Sequence, residues 1–170
     1  QRFYTDNENK SKRLLFIAHR EEILKQRLHV FREVLRDYNF GDLWVGGYKP
    51  TRDDPEHLFI SIQTLYSKLN EIITAFGPDY FDFIIVDEFH HGASDSYIAV
   101  LDKFKPKILL GLTATPERMD GKSITDMYFG GRIAAELRLT DAINQKLLSP
   151  FHYFMVTDPV DLEQVKWVRG

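Results

Sequence analysis

The sequence predicts an α/β domain, a parallel sheet with helices on both faces, and three observations carry that prediction. Short runs of three to five mostly apolar residues recur along the chain, as expected of strands covered on both sides. Between several of them, apolar residues fall at three- and four-residue spacings, the stripe of a helix that buries one face. Polar clusters then follow the apolar runs directly. Strands that alternate with helices pair in parallel through right-handed crossovers. Ligands of such sheets bind beyond the carboxyl ends of the strands.

Taken in order, Leu14 to Ala18 is the first apolar run, and it ends abruptly at His19-Arg20. Leu24, Leu28, Phe31 and Leu35 mark one buried stripe of a helix over residues 21–36. Leu43 to Val45 is a short strand closed by Gly46-Gly47, where either a plain turn or a close backbone approach explains the glycines. Leu58 to Ile62 precedes Gln63-Thr64 and a helix over residues 65–74. Phe83 to Val86 reads as a doubly covered strand that stops at Asp87-Glu88. Ile98, Leu101 and Phe104 predict a short helix, and Ile108 to Leu112 a further buried strand before Thr113-Ala114-Thr115. Beyond these, the pattern predicts a strand over Ile133 to Leu137, a helix capped by Thr140 and running through Leu148, and a last strand over Phe151 to Val156. Residues 1–12 are polar and are expected to be loosely ordered.

Composition bounds the function without deciding it. The 170 residues suffice for one domain with a sizeable core. Apolar residues at 44% and charged residues at 28% are ordinary for a soluble globular chain. The absence of cysteine excludes disulfides and thiolate metal sites. No apolar run approaches bilayer length and no signal-peptide core is present, so the expected location is cytoplasmic, with no membrane partner. A net charge of -3 argues mildly against an autonomous nucleic-acid-binding module, which is usually basic.

The strongest chemical signal is FDFIIVDEFHH, residues 81–91. A carboxylate at the end of a buried strand can hold magnesium through the ion's waters, and Asp87 is placed to do so. The adjacent Glu88 can orient and deprotonate a water, and His90 follows two residues later. Two acids ending a strand are by themselves more often plain polar residues. Four apolar positions before them and a histidine after them favour nucleotide hydrolysis. Two histidines beside carboxylates also allow a metal hydrolase, but the zinc spacing H-E-x-x-H is absent. His91 reads as structural or exposed.

These motifs resemble a known family. DEFH at 87–90 is similar to motif II of the DEAD/DEAH-related superfamily-two helicases, and LLGLTATPERMDG at 109–121 to their motif III with its usual extension. LLFIAHREEIL at 14–24 resembles motif Ia, and FISIQTL at 59–65 the later motif that contacts a nucleic-acid strand. All stand in the family's order, and the nearest likeness is to the type III restriction-subunit-like group. The resemblance implies a RecA-like first motor domain that uses ATP and Mg2+. It implies that Asp87 coordinates the metal, that Glu88 is the general base, and that His90 links the nucleotide to the coupling motif Thr113, Ala114 and Thr115. His19, Arg20, Gln63 and Thr64 would follow the backbone of one strand, giving affinity without sequence preference. For Arg20 the forked donor near a helix N-terminus strengthens that reading. For Thr64, capping of its own helix is nearly as good an explanation.

The family's phosphate loop, G-x-x-x-x-G-K-[ST], is nowhere in these residues. It normally precedes motif Ia by about 30 residues, one crossover unit. The chain is therefore expected to be a partial first motor domain over residues 1–170, lacking the phosphate-loop strand and helix. Its last part, from about 132 to 170, is expected to lead toward a second RecA-like domain. Such a piece is expected to bind ATP poorly, and its sheet to expose an edge beside residues 108–113. The leading function is an ATP-dependent helicase or translocase on nucleic acid, DNA more than RNA. The alternatives are a non-catalytic nucleic-acid-binding or scaffold domain and, further behind, a metal-dependent phosphohydrolase.

Overall fold

The computed structural model describes residues 12–115, 124–151 and 154. Two compact units divide the chain after Arg132.

In the first unit, five parallel strands form one sheet in the order β2-β3-β1-β4-β5. They are β1 (Leu14–Ala18), β2 (Asp42–Trp44), β3 (His57–Ser61), β4 (Phe83–Asp87) and β5 (Ile108–Leu112). Helices α1 (Glu21–Leu35), α2 (Ile62–Ser67), α3 (Leu69–Phe76), α4 (Asp95–Leu101) and α5 (Ile124–Phe129) complete the unit. The expected α/β class and parallel sheet are both present. β1 is central and buried at every position, because strand alternation sends its residues to two separate cores.

Leu14, Phe16 and Ala18 face α1, where they meet Leu24, Leu28, Phe40 and Phe59. Phe16 stacks on Phe59 at 5.3 Å, and Phe31 sets its edge against both rings. Leu15 and Ile17 face the opposite way, into a larger core with Leu58, Ile60, Ile84 and Val86 from neighbouring strands. That core is covered by Leu65, Leu69, Ile72, Tyr97, Val100 and Ile124 from α2 to α5. Helices therefore lie on both faces.

α1 keeps the predicted stripe, with Glu21 and Glu22 in a first turn that favours acids. Its C-cap, Arg36, adopts a left-handed conformation and donates its N–H back to the last turn. The helix expected over 65–74 is two helices broken at Lys68. Ser61 caps the first by accepting the Thr64 N–H, so helix begins directly at the strand end. At the amino edge, Asp82 accepts from the Arg13 N–H at 3.0 Å and pairs with Lys107 at 2.6 Å. Burial opposes the charge on Asp82, but Lys107 and Arg13 outweigh it and hold the carboxyl below its ordinary value. The clamp ties together the starts of β1, β4 and β5.

β5 ends the sheet, with no further strand beside it among the described residues. Its Ile108, Leu110 and Leu112 are exposed at 40%, 39% and 36%, the face on which β4 presents Phe83, Ile85 and Asp87 in register. The strand expected to be buried over Ile108 to Leu112 is therefore present, but none of its residues is buried, because no strand among the described residues lies beyond it.

The second unit, residues 133–170, contains α6 (Leu139–Asn144). The strand expected over Ile133 to Leu137 is absent: the segment is irregular, and Ile133 and Leu137 are 53% and 54% exposed. No strand among the described residues pairs with this apolar run. The helix expected from Thr140 to Leu148 is shorter and starts earlier, with Arg138 at its N-cap and Thr140 inside its first turn. It ends because Lys146 turns left-handed and the Leu147 N–H reaches back to the Ala142 carbonyl at 2.9 Å. The expected last strand, over 151–156, and the loose start, over 1–12, fall almost wholly outside the described residues. No helix among the described residues is long and apolar enough to cross a membrane.

Candidate functional site

Parallel register aligns the strand ends, so the residues that follow them share one edge. Ala18 of β1 lies beside Ser61 of β3, and Asp87 of β4 beside Leu112 of β5. Just past those ends stand His19-Arg20, Gln63-Thr64, Glu88 and Thr113.

Asp87 is the last residue of β4 and one of two buried polar residues among the described core, at 7% exposure. Its Oδ1 accepts the Glu88 N–H at 3.1 Å, and its Oδ2 accepts from Arg27 Nε of α1 at 3.0 Å. Glu88 adopts a left-handed conformation, φ 54°, which is costly for a residue with a side chain. The kink ends the strand and starts the 3-10 turn Phe89–His91. That turn brings His90 back over the edge. His90 Nδ1 lies 3.1 Å from Glu88 Oε2 and 3.3 Å from Thr113 Oγ1. Thr113 Oγ1 in turn accepts the Thr115 N–H at 3.1 Å, while Ala114 and Thr115 lie exposed beyond it. One imidazole therefore joins the acid after β4 to the hydroxyl after β5.

The β1 and β3 ends form a neighbouring cluster. Gln63 Nε2 donates to the His19 carbonyl at 3.3 Å, and Arg20 Nε donates to His19 Nε2 at 3.1 Å. The His19 ring meets His91 edge-on at 5.4 Å, and His91 lies 4.1 Å from His90. A shallow cleft lined by His19, Arg20, Glu22, Glu88, His90 and His91 thus connects the two clusters. Thr64 is less available. Its N–H goes to Ser61 Oγ, and Ser61 Oγ donates to Thr64 Oγ1 at 2.8 Å, which is the capping arrangement. The acidic first turn of α1 also offsets the pull of its N-terminus on anions, although Lys25 neutralises Glu21 at 2.6 Å.

The donor set at Asp87 suits magnesium better than a protein-caged ion. Among the described residues no three His, Cys, Asp or Glu side chains converge on one point. Magnesium keeps most of its waters and asks for one or two carboxylates beside a nucleotide's phosphates, and Asp87 supplies such a hard, nearly buried oxygen. Two residues were missed by sequence reasoning. Arg27 has no local signal, being one more cation on the flank of an amphipathic helix. Tyr97 of α4 is 3% exposed, and its hydroxyl has no hydrogen-bond partner among the described residues. Burial, reinforced by the charges of Asp87 and Glu88, pushes that phenol up to about 12.

A parallel α/β sheet with an Asp-Glu-x-His strand end linked to a Thr-Ala-Thr turn defines a RecA-like domain of the superfamily-two helicase class. The chain belongs to the type III restriction enzyme res subunit family, whose profile matches residues 2–118. It is 30% identical over 166 residues to the type I restriction enzyme EcoAI endonuclease subunit of Escherichia coli, covering 94% of this chain and 20% of that protein. It is 26% identical over 172 residues to IRC3 of Saccharomyces cerevisiae, an ATP-dependent helicase by name, covering 98% of this chain and 24% of that protein. Among solved structures, Saccharomyces cerevisiae Dbp5 bound to RNA and ADP BeF3 shares the fold, with a TM-score of 0.62 at 14% identity, over 82% of this chain and 37% of that one. The chain thus spans a quarter or less of the length of these two sequence relatives.

Proposed function

We propose that this chain is part of the first motor domain of an ATP-dependent DNA helicase or translocase, a machine that couples nucleotide hydrolysis to movement along nucleic acid. One observation carries the reading: His90 bridges Glu88 and Thr113 at the carboxyl edge, so an acid suited to hydrolysis and a hydroxyl suited to relay it share one imidazole. Asp87 would hold the magnesium ion through its waters, and that ion when bound neutralises charge on the phosphoryl group. Glu88 Oε2 would accept the proton of the attacking water, with His90 setting the orientation of its carboxylate. A change in that carboxylate would pass through His90 to Thr113, Ala114 and Thr115.

His19, Arg20 and Gln63 would hold the phosphate backbone of one strand, with Thr64 engaged by Ser61, which caps α2. Such contacts position without reading sequence. The name of the Escherichia coli relative, a restriction enzyme subunit, favours DNA over RNA for this reading. The share of the relatives that the chain spans, and the unit division after Arg132, agree with residues 132–170 leading toward a second RecA-like domain.

The test is ATP turnover by the full-length polypeptide carrying this chain, measured with duplex DNA, with RNA and without either. DNA should raise the rate, and Glu88→Gln should abolish it at unchanged thermal stability. A rate that ignores nucleic acid would overturn the motor reading, and no turnover, or turnover that survives Glu88→Gln, would leave the scaffold reading standing instead.

A further inference from the structure

We propose that Arg27 is a counter-ion of Asp87 that competes with a divalent cation for the same carboxylate oxygen. The inference rests on the reading of Asp87 as the magnesium carboxylate.

A nearly buried carboxylate is costly unless it is paired. The Asp87 side chain is only 10% exposed, and its Oδ1 is already engaged by the Glu88 N–H. That N–H is a neutral donor and does not balance the charge. Arg27 does. It lies one turn beyond Leu24 and beside Leu28, on the flank of the stripe that α1 buries, so its stem runs along the helix edge to the end of β4. Its Nε donates to Oδ2 at 3.0 Å, while 45% of the arginine side chain stays in solvent. One partner is fixed and the other is free to swing away.

Two cations compete for Oδ2. A hydrated divalent ion placed at that oxygen and a guanidinium already bonded to it repel one another at a few ångströms. A divalent ion held there would have to displace Arg27, so the ion pair would lower metal affinity by roughly the worth of a partly exposed pair, about two- to fivefold. In return, Arg27 pairs the nearly buried carboxylate and holds it aimed. An ion pair that merely tied α1 to β4 would have no such link to metal.

Mn2+ titration followed by electron paramagnetic resonance, with melting temperature read on the same samples, separates these cases in the full chain. Arg27→Met should tighten Mn2+ binding about two- to fivefold, with Arg27→Lys between it and the unaltered protein. Arg27→Met should also melt lower without metal, and saturating Mn2+ should close most of that gap. Asp87→Asn should remove the Mn2+ site in every background. Equal Mn2+ affinity in Arg27→Met and the unaltered protein, or a melting gap that metal leaves unchanged, overturns the proposal for Arg27 and leaves Asp87 as the metal carboxylate. Mn2+ binding that survives Asp87→Asn overturns both.

Discussion

At the scale of single residues, the edge of the sheet carries polar groups at measurable cost. Tyr97 buries a hydroxyl with no partner among the described residues, close enough to Asp87 and Glu88 for their charges to act on it. A buried hydroxyl without a bond is destabilising, so Tyr97→Phe should hold or raise stability, by on the order of 1 kcal/mol in urea denaturation. A loss of stability would reveal a bond to that oxygen. His57, at the start of β3, stacks on Phe40 at 4.2 Å, and burial lowers its pKa from 6.5 against the pull of Glu56 and Asp37. The unfolded chain then binds this proton more readily than the folded one. There is no penalty above pH 6.5, and stability falls as pH drops from 6.5 toward the depressed value. His57→Phe should flatten that acid-side decline in melting temperature, while the unaltered protein keeps it.

At the scale of elements, the carboxyl edge depends on close packing under β5. Gly111 lies in register with Val86. A Cβ built on it would come within 2.8 Å of the Phe89 ring and 3.1 Å of Phe129. Phe89 belongs to the same turn as His90, so its ring seats that turn on the sheet. Gly111→Ala should therefore cost roughly 1–3 kcal/mol through overpacking. The variant should also weaken the alignment of His90 with Thr113, which the imidazole chemical shifts would report. Neither effect would occur if Phe89 had room to move aside. The sequence pattern located all five strands to within one residue; burial on both faces explains this for β1, while β2 and β5, at the ends of the strand order, have no buried position. It missed the break at Lys68 and the strand-end start of α2, since Ser61 was assigned to its apolar run rather than read as a cap. It also misread Ile133 to Leu137, an apolar run whose ends are exposed and which pairs with no strand among the described residues.

At the scale of the whole first unit, stability is concentrated at the centre of the sheet. β1 lies between β3 and β4 and feeds both cores. Phe16 is fully buried against Phe59 and Phe31, so Phe16→Ala should cost roughly 3–5 kcal/mol in denaturant unfolding. Amides of β1 should exchange with solvent last, and those of β2 and β5, at the two ends of the strand order, first. Slow exchange along β5 would mean that its outer edge is covered in solution.

The five strands, the parallel sheet and the polar edge were legible in the sequence alone, whereas α5 and the break at Lys68 were not. Periodicity and strand-end chemistry are local, and local patterns survive without knowledge of neighbours. What only the tertiary structure decided is which polar groups meet. Asp87 finds Arg27, 60 residues away in sequence, and His90 finds Thr113, 23 residues away. Those meetings follow from strand register and from a left-handed turn at Glu88, and neither leaves a mark in the pattern of apolar and polar residues.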